Sequence, residues 1–285
     1  MKASSYRNKI FCMDCIEGMR AHLPEGCVDV VVTSPPYNIG VRYGSYGDDM
    51  PFEDYLGWME AVARQCYRVL REDGSFFFNI GDKPSDELRS LKVAERIRRV
   101  FRLQNTIHWI KSIAVPEEGI AIGHYKPVNS PRYLNNAHEY IFHFTKSGRV
   151  ALDKLAIGVP YQDKSNIGRW KHARQDARDR GNTWFIPYKT VVAQKEHPAA
   201  FPERLAEMCI RLHGLPRSSG TGRARRLLVL DPFLGSGSTA LAARRLGCDY
   251  VGFERDPEYV AVTHEKLARR GAGPKREAKQ MGLIQ

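Results

Sequence analysis

The feature that most constrains the fold is a short apolar strand that stops at two consecutive prolines, in residues 28–38 (VDVVVTSPPYN). The β-branched run predicts a strand that is buried on both faces of a sheet. Proline cannot donate to a sheet ladder and it fixes φ, so the chain must leave the sheet at Pro35 in a rigid, extended turn. This turn carries the hydroxyl of Ser34 and the ring of Tyr37, which together suit a flat ligand that bears an amino group.

A second unit of strand and turn lies near the other end of the sequence. A buried strand is predicted over residues 227–231 (LLVLD), and a Gly-x-Gly turn at Gly235 and Gly237, a helix and a further strand follow it. That last strand ends at Glu254, 19 residues after Gly235. An acid about 20 residues after such a turn accepts hydrogen bonds from ribose hydroxyls in nucleoside-binding βαβ units. Ala240 occupies the place of a third glycine, which favours a ligand without a pyrophosphate.

Both motifs resemble those of DNA methyltransferases that modify exocyclic amino groups. Residues 34–37 (SPPY) are similar to the catalytic motif (D/N/S)PP(Y/F/W), and residues 231–239 (DPFLGSGST) are similar to the cofactor motif of the same enzymes. The catalytic motif comes first and the cofactor motif last, which is the permuted order of the β group. The resemblance covers residues 9 to about 270. It implies an α/β fold, a Rossmann-like sheet with helices on both faces and an inserted DNA-recognition region.

The resemblance also implies the cofactor S-adenosyl-L-methionine and a set of site residues. The catalytic residues are Ser34, Pro35, Pro36 and Tyr37. The cofactor residues lie at predicted strand ends and in the following turns, and are Asp14, His197, Phe201, Asp231, Phe233, Gly235, Ser236, Gly237, Thr239 and Glu254. Among them, Asp231, Phe233 and the two glycines are expected at the methionine part, and residues 197–201 near the methionyl end. Glu254 is expected at the ribose and Asp14 at the adenine.

The expected chemistry is direct methyl transfer to an amino nitrogen. The carbonyl of Pro35 and the side chain of Ser34 accept from the amino group, which frees the nitrogen lone pair, while Tyr37 stacks on the base. The base must leave the duplex, because its amino group is unreachable while it is paired. A covalent intermediate is not expected, since the sequence has no Pro-Cys dipeptide, the nucleophile motif of ring-carbon enzymes. Family members with Ser before Pro-Pro often modify cytosine N4 and those with Asp modify adenine N6, so Ser34 favours cytosine over the adenine alternative.

The charge of the chain points to nucleic acid. Its 285 residues carry a formal net charge of +12, which suggests an anionic partner, with double-stranded DNA first. Residues 169–180 interleave cations with Trp and His, and a helix there could follow a phosphate backbone. The expected DNA contacts, including one from a basic Gly/Ser-rich cluster at 217–226, are Arg169, Lys171, Arg174, Arg178 and Arg225. The alternative for 169–180 is a solvated charged face.

The alternation of strands and helices up to residue 111 predicts right-handed crossovers and a parallel sheet. Helices are predicted over residues 52–70, 87–100, 202–213, 240–246 and 257–270, and irregular chain over 112–136 and 146–183. The expected domains are a catalytic half (1–111), an inserted target-recognition region (112–185, with strand 138–145 returning to the core sheet), a cofactor-binding half (186–270) and a frayed tail (271–285).

Several classes of protein are not expected. No apolar run reaches the ~18 residues of a membrane span, and the N-terminus lacks a signal sequence, so a cytoplasmic protein without membrane contact is predicted. The six cysteines are scattered, and Cys12-x-x-Cys15 has no second pair at zinc-site spacing, so neither disulfides nor a metal is expected.

Two further functional hypotheses and two possible partners complete the predictions. One alternative keeps the methyltransferase but gives it RNA or a small molecule as substrate. The other is an inactive nucleic-acid-binding module. The family resemblance implies a homodimer, and a cognate restriction endonuclease is a possible partner.

Overall fold

The structure, a computed structural model, describes residues 6–40, 47–86, 88–125, 127–169, 175–187, 200–216 and 225–269. Strands in these segments are β1 Lys9–Cys12, β2 Val28–Thr33, β3 Leu70–Ile80, β4 Arg102–Ile110, β5 Ser112–Val115, β6 Ile120–Gly123, β7 His138–Thr145, β8 Thr183–Phe185, β9 Leu228–Asp231 and β10 Asp249–Glu254. The helices are α1 Cys15–His22, α2 Phe52–Val69, α3 Arg89–Ile97, α4 Glu203–His213, α5 Ser238–Arg245 and α6 Pro257–Arg269.

A sheet of eight strands forms the centre of the fold, in the order β1-β10-β9-β2-β3-β7-β4-β8. The five strands from β1 to β3 in this order are mutually parallel. β7 is antiparallel to β3 and β4 on either side of it, and β8 is parallel to β4. Parallel strands end at the same edge of a sheet. The carboxyl ends of β1, β2, β9 and β10 therefore lie side by side.

Helices cover both faces of the sheet, which confirms the predicted fold class. On one face, apolar residues of α1, α2 and α3 pack against alternate residues of β2, β3 and β7. On the other face, α4 and α5 pack against the intervening residues, and Leu267 of α6 packs beside α5. The helical spacing in α2 places Tyr55, Met59, Val62 and Cys66 in the core. Each large apolar side chain buried in this way contributes roughly 1.5–3 kcal/mol.

The second half of the sheet differs from the predicted parallel arrangement. Residues 138–145 return to the core sheet as expected, but they do so as the antiparallel strand β7 between β3 and β4. The predicted irregular stretch 112–136 contains a hairpin, in which β5 and β6 pair antiparallel. Pro116 and Gly119 form its turn, so the residues that suggested irregular chain are turn residues between two short strands.

Two element boundaries also differ from the sequence prediction. β3 begins at Leu70 rather than at Ser75, directly after α2. Val28 of β2 pairs with Leu70 and Val30 pairs with Ser75, so residues 71–74 form a bulge inside the strand. α3 is shorter than predicted, because the residue that precedes it, Leu88, has a left-handed conformation with φ 58° and cannot continue a helix.

Candidate active site

A cleft opens at the carboxyl edge of the sheet, where β1, β2, β9 and β10 end. The cavity volume of this cleft is about 100 Å³, and the cleft is open to solvent at its mouth. Residues 34–37 line one side of the cleft, and four of the predicted cofactor residues line the other: Asp14, Phe233, Gly235 and Glu254. The structure therefore brings the two motifs to one cavity.

The turn after β2 is held by contacts to its backbone. The hydroxyl of Tyr55 on α2 donates to the carbonyl of Pro36 at 2.7 Å. The carboxylate of Asp48 accepts from the backbone N–H of Asn38 at 2.7 Å and from that of the next residue at 3.0 Å. Asn38 is itself in the left-handed region, with φ 56°, which asparagine tolerates better than most residues. Among the residues that the structure describes, none donates to the carbonyl of Pro35, which leaves this acceptor for a ligand.

The hydroxyl of Tyr37, a residue that lines the cleft, belongs to a network of polar side chains. Its Oη lies 2.8 Å from Oγ of Ser34 and donates to Oε2 of Glu139 at 2.9 Å. Nδ2 of Asn79 donates both to Tyr37 Oη and to Glu139 Oε2, each at 2.7 Å. Nζ of Lys111 lies 3.0 Å from the other oxygen of Glu139, and both side chains of this ion pair are largely buried.

Asn79, Lys111 and Glu139 are site residues that the sequence predictions do not include. A signal was present in two of them, since Asn79 interrupts the apolar run SFFFNI and Glu139 lies at the start of the strand HEYIFHFT. A polar side chain in a buried strand needs a hydrogen-bond partner. The identity of that partner depends on which strands are neighbours in the sheet, and the sequence does not give this order.

Glu254 has the geometry of a ligand-binding carboxylate. Its Oε2 accepts from the backbone N–H of Gly235 at 2.8 Å, and its Oε1 accepts from that of Asp256 at 2.9 Å. Each oxygen of a carboxylate can accept more than one hydrogen bond, so both retain capacity for a diol. Burial raises the pKa of Glu254 above its ordinary value. A second donor such as a ribose hydroxyl would favour the ionised form.

The cleft carries a second carboxylate just after the end of β1, the strand that pairs with β10 beside Glu254, and it also has an aromatic wall. Asp14 caps α1, and its Oδ1 accepts from the backbone N–H of Ile16 at 2.8 Å and that of Glu17 at 3.2 Å. The cleft surface also includes Trp58, whose ring meets that of Phe233 edge to face with centroids 5.4 Å apart. Two carboxylates at neighbouring strand ends, with apolar rings in the same cleft, fit a nucleoside with an attached amino acid.

Asp231 has a different position from the one that the sequence predicts. The resemblance implies that it holds the methionine part, but its side chain is buried (1 % exposed) and does not line the cleft. Its Oδ1 accepts from Oγ1 of Thr33 at 2.6 Å and from the backbone N–H of Phe233 at 3.0 Å. Burial raises the pKa of Asp231 to about 6. The residue connects the catalytic turn to the cofactor turn.

Four more predicted cofactor residues do not line the cleft: Phe201, Ser236, Gly237 and Thr239. Oγ1 of Thr239 donates to the carbonyl of Val32 at 3.2 Å. The carbonyl of Phe201 accepts from Oγ of Ser238 at 2.8 Å, while its ring packs in the core. His197 lies outside the described residues.

The predicted DNA-binding helix at 169–180 is not supported where the structure describes it. Residues 175–180 are not helical, and Arg178 forms an isolated antiparallel bridge with Val159. Arg169 is exposed. Lys171 and Arg174 lie outside the described residues. The prediction assumed a helical period for the cations, but this half of the segment is extended.

Arg225, a predicted DNA contact, forms a structural ion pair instead. Its Nη1 donates to Oδ2 of Asp29 at 2.9 Å, and its Nη2 contacts Oδ1 of the same carboxylate. Asp29 is 2 % exposed, and it also accepts from the backbone N–H of Leu228, the first residue of β9. This pair therefore lies at the amino-terminal edge of the sheet, away from the cleft.

The Cys12-x-x-Cys15 pair lies where β1 ends and α1 begins. Burial raises the pKa of the Cys15 thiol well above its ordinary value, so this thiol is protonated at neutral pH and is a poor nucleophile and metal ligand. Within the described segments, no group of three or more His, Cys, Asp or Glu side chains could hold a metal ion.

Comparison with known proteins agrees with this geometry. The family model for N6/N4 methyltransferases, described as DNA methylase, matches residues 28–265. The type II methyltransferase M.BglII of Bacillus subtilis is 28 % identical over 92 % of this chain and 69 % of its own length. The type II methyltransferase M.SmaI of Serratia marcescens is also 28 % identical, over 92 % of this chain and 91 % of its own.

Solved structures show the same architecture. A Thermus thermophilus protein assigned as a DNA modification methylase, in complex with S-adenosyl-L-methionine, is 25 % identical with a TM-score of 0.60, and the match covers 94 % of this chain and 96 % of that one. The PvuII cytosine-N4-specific DNA methyltransferase is 22 % identical with a TM-score of 0.66, over 90 % and 85 % of the two chains, and shares the fold.

None of the helices described between residues 6 and 269 combines the length and the apolar composition that crossing a bilayer requires. The cleft unites a nucleoside-type carboxylate with a Ser-Pro-Pro-Tyr turn, and the family match spans both motifs. The chain therefore belongs to the N6/N4 DNA methylase family and is a DNA methyltransferase that uses S-adenosyl-L-methionine.

Proposed function

We propose that the enzyme methylates the exocyclic N4 of a cytosine that is flipped out of duplex DNA. The observation that carries this proposal is the position of Ser34 and Pro35 in one cleft with Gly235 and Glu254. Two hydrogen-bond acceptors for an amino group thus lie beside a site for the cofactor. The N6 amino group of adenine is the alternative target.

The chain contributes acceptors and a stacking surface to the reaction. The bound cofactor supplies an electrophilic sulfonium methyl group. Oγ of Ser34 and the carbonyl of Pro35 accept from the two amino hydrogens of the base, which favours sp³ character at the nitrogen and makes its lone pair available. Holding the reacting atoms ~3–3.5 Å apart in a fixed orientation is a large part of such catalysis. The rigid backbone of the turn, held by Tyr55 and Asp48, suits this role.

Tyr37 stacks on the flipped base in this proposal. Gly81 lies close to this ring, because a Cβ added at Gly81 would lie 3.2 Å from Cε2 of the tyrosine. Stacking of one base on an aromatic side chain contributes about 1–3 kcal/mol. This contribution offsets part of the energy needed to unstack the base from the helix, which is a few kcal/mol.

The cofactor contacts follow from the two carboxylates. Glu254 accepts from the ribose hydroxyls, and Asp14 lies near the adenine. Phe233, Gly235 and the backbone around them approach the methionine part. We place the remaining predicted residues, including Asp231 and Thr239, in the support of this surface rather than in contact with the ligand.

Residues 112–185 are the proposed target-recognition region. They include the β5–β6 hairpin, which carries the exposed side chains of Ile113 and Ile122 side by side, and the cations of 169–180. A homodimer is part of the proposal, and sedimentation of the purified protein tests it. Ser34 is the residue that favours cytosine, since Asp is frequent at this position in adenine-specific relatives.

The test is labelled methyl transfer to duplex DNA. The enzyme is incubated with S-adenosyl-L-methionine carrying a tritiated methyl group and with genomic DNA from a strain that lacks amino-methylated bases, and the nucleosides are then analysed by mass spectrometry. N4-methylcytosine supports the proposal, and N6-methyladenine supports the alternative target. Cofactor binding without any methyl incorporation would instead indicate an inactive nucleic-acid-binding module, and incorporation into RNA alone would reassign the substrate.

A variant of the stacking residue separates catalysis from cofactor binding. Tyr37→Ala should reduce turnover by at least about tenfold, from the loss of ~1–3 kcal/mol of stacking and of the hydroxyl's hydrogen bonds. Its dissociation constant for the cofactor should stay within about twofold of that of the unmodified protein. A tenfold change in this constant would correspond to ~1.4 kcal/mol of binding free energy. Tyr67→Ala, a change near the end of α2 that does not alter the cleft lining, is the matched control. A parallel loss of cofactor affinity in Tyr37→Ala contradicts the division of roles.

A further inference from the structure

We propose that Glu139, held by Lys111, is a positioning residue that fixes the direction of the hydrogen bonds from Ser34 through Tyr37. In this arrangement the hydroxyl hydrogen of Ser34 points to Tyr37, and the oxygen lone pairs of Ser34 remain available to the amino group of the target base. The inference rests on the proposed function and adds residues from β7 and from the end of β4 to the catalytic turn.

The hydrogen count at Tyr37 determines this direction. The tyrosine hydroxyl has one hydrogen, and an ionised carboxylate can only accept, so this hydrogen lies on the 2.9 Å contact to Glu139. Asn79 donates to the same hydroxyl oxygen at 2.7 Å. The 2.8 Å contact between Ser34 and Tyr37 therefore takes its hydrogen from Ser34. Ser34 is left as an acceptor, which is the role that methyl transfer to an amino group requires.

Lys111 and Asn79 keep the carboxylate of Glu139 in place. Nζ of Lys111 lies 3.0 Å from Oε1. The side chain of Lys111 is only 13 % exposed and that of Glu139 is 16 % exposed. Nδ2 of Asn79 donates to Oε2 at 2.7 Å, and Asn79 is 1 % exposed. Oε2 thus accepts from both Asn79 and Tyr37, while Oε1 accepts from Lys111.

Glu139→Gln removes the feature that sets the direction. An amide has an NH₂ group on one side, and its oxygen cannot serve Lys111 and Tyr37 together as the two carboxylate oxygens do. The tyrosine hydroxyl is then free to donate to Ser34, so the hydrogen of Ser34 turns into the cleft and opposes the amino group. Hydrogen bonds to charged groups are among the stronger ones in proteins. We expect a loss of roughly 10- to 100-fold in the rate of methyl transfer.

The experiment is a double-mutant cycle between Glu139→Gln and Tyr37→Phe. Single-turnover methyl transfer to genomic DNA without amino-methylated bases is measured at saturating cofactor, and cofactor affinity is measured by calorimetry. Glu139→Gln should slow transfer in the parent enzyme but change it less than about threefold in the Tyr37→Phe background, since the connecting hydroxyl is absent there. Cofactor affinity should be unchanged in each protein. Glu95→Gln, an exposed carboxylate on α3, is the matched control.

The possible results distinguish the inference from the proposed function. An equal slowing by Glu139→Gln in both backgrounds overturns the inference, because a general structural defect would not depend on the Tyr37 hydroxyl. A parent-like rate in Glu139→Gln overturns it as well. A parent enzyme that transfers no methyl group to DNA refutes the proposed function itself. Tyr37→Phe lacks the charge change, so it also shows whether removal of the hydroxyl alone leaves a folded, cofactor-binding protein.

Discussion

Gly237→Ala should destabilise the protein and weaken cofactor binding through a contact with α6. Gly237 precedes α5 with a φ of +87°, and an added Cβ would overlap Cγ2 of Thr263 and lie 2.9 Å from its Oγ1. A non-glycine residue in a left-handed conformation costs about 1–2 kcal/mol, and an extra methyl group in packed space costs about 1–3 kcal/mol more. We therefore expect the free energy of unfolding to fall by about 2–5 kcal/mol.

Two further variants separate backbone strain from the steric contact. Gly247 also has a positive φ, +71°, but has no atom within 4 Å of an added Cβ, so Gly247→Ala should cost only the strain, about 1–2 kcal/mol. Thr263→Ser removes the methyl group that an alanine at 237 would meet. It keeps the Oγ that donates to the carbonyl of Gly235 at 3.0 Å. Combined with Gly237→Ala, it should recover about 1 kcal/mol or more of the loss.

Urea unfolding followed by circular dichroism measures the stabilities, and calorimetry measures cofactor affinity. Gly237→Ala should weaken cofactor binding, because the displaced turn carries Gly235, whereas Gly247→Ala should not. Equal destabilisation by the two glycine variants would show that the contact with Thr263 is relieved at no cost. An absence of coupling between Gly237→Ala and Thr263→Ser would refute the reasoning in the same way.

Two other predictions concern pH and DNA binding. Burial lowers the pKa of His143 to about 3 and raises that of Asp231 to about 6. Between about pH 4 and 6, the histidine therefore makes the free energy of unfolding rise with pH, and the aspartate makes it fall. Each effect amounts to about 1.4 kcal/mol per pH unit. Urea unfolding at about pH 4.5 and 5.5 gives the change in the free energy of unfolding per pH unit. This change should be lower than in the parent by about 1.4 kcal/mol per unit in His143→Asn, and higher by the same amount in Asp231→Asn. A variant with the same pH dependence as the parent contradicts the assignment for that residue. Neutralising Lys171 and Arg174 should weaken DNA binding and flatten its salt dependence, by about one unit of slope for each phosphate that the variant no longer neutralises. Arg225→Ala should leave that slope unchanged, since this cation is paired with a buried carboxylate.

The part of the site on neighbouring parallel strands was predictable from sequence. The apolar runs that end at Ser34 and at Asp231 are each followed by residues that cannot continue a strand, two prolines in one case and a Gly-x-Gly turn in the other. Such residues mark the position at which a buried strand ends. Since parallel strands end at one edge, the sequence places the two turns at the same edge of the sheet, and the structure shows that β2 and β9 are neighbours there.

The polar network could not be predicted, because it depends on strand order. Asn79, Lys111 and Glu139 belong to or adjoin three different strands, and they meet only because β7 inserts antiparallel between β3 and β4. The bond between Asn79 and Glu139 joins residues 60 positions apart, and local periodicity does not encode such a pairing. The partner of Asp29 could not be predicted from the sequence either. An acid inside VDVVV signals a buried charge in need of a partner, but its partner Arg225 has the sequence context of a surface cation.

The contacts between β2 and β9 explain how the two motifs act as one site although they are 198 residues apart in the chain. The buried carboxylate of Asp231 accepts from Thr33, the residue before Ser34, and from the backbone of Phe233 in the cofactor turn. A shift of either turn would leave a buried polar group without its partner, at a cost of about 1–3 kcal/mol. The two turns are therefore held in register by bonds that cross between adjacent strands. Because those bonds do not run along the chain, the site depends on which strands are neighbours and not on which motif comes first in the sequence.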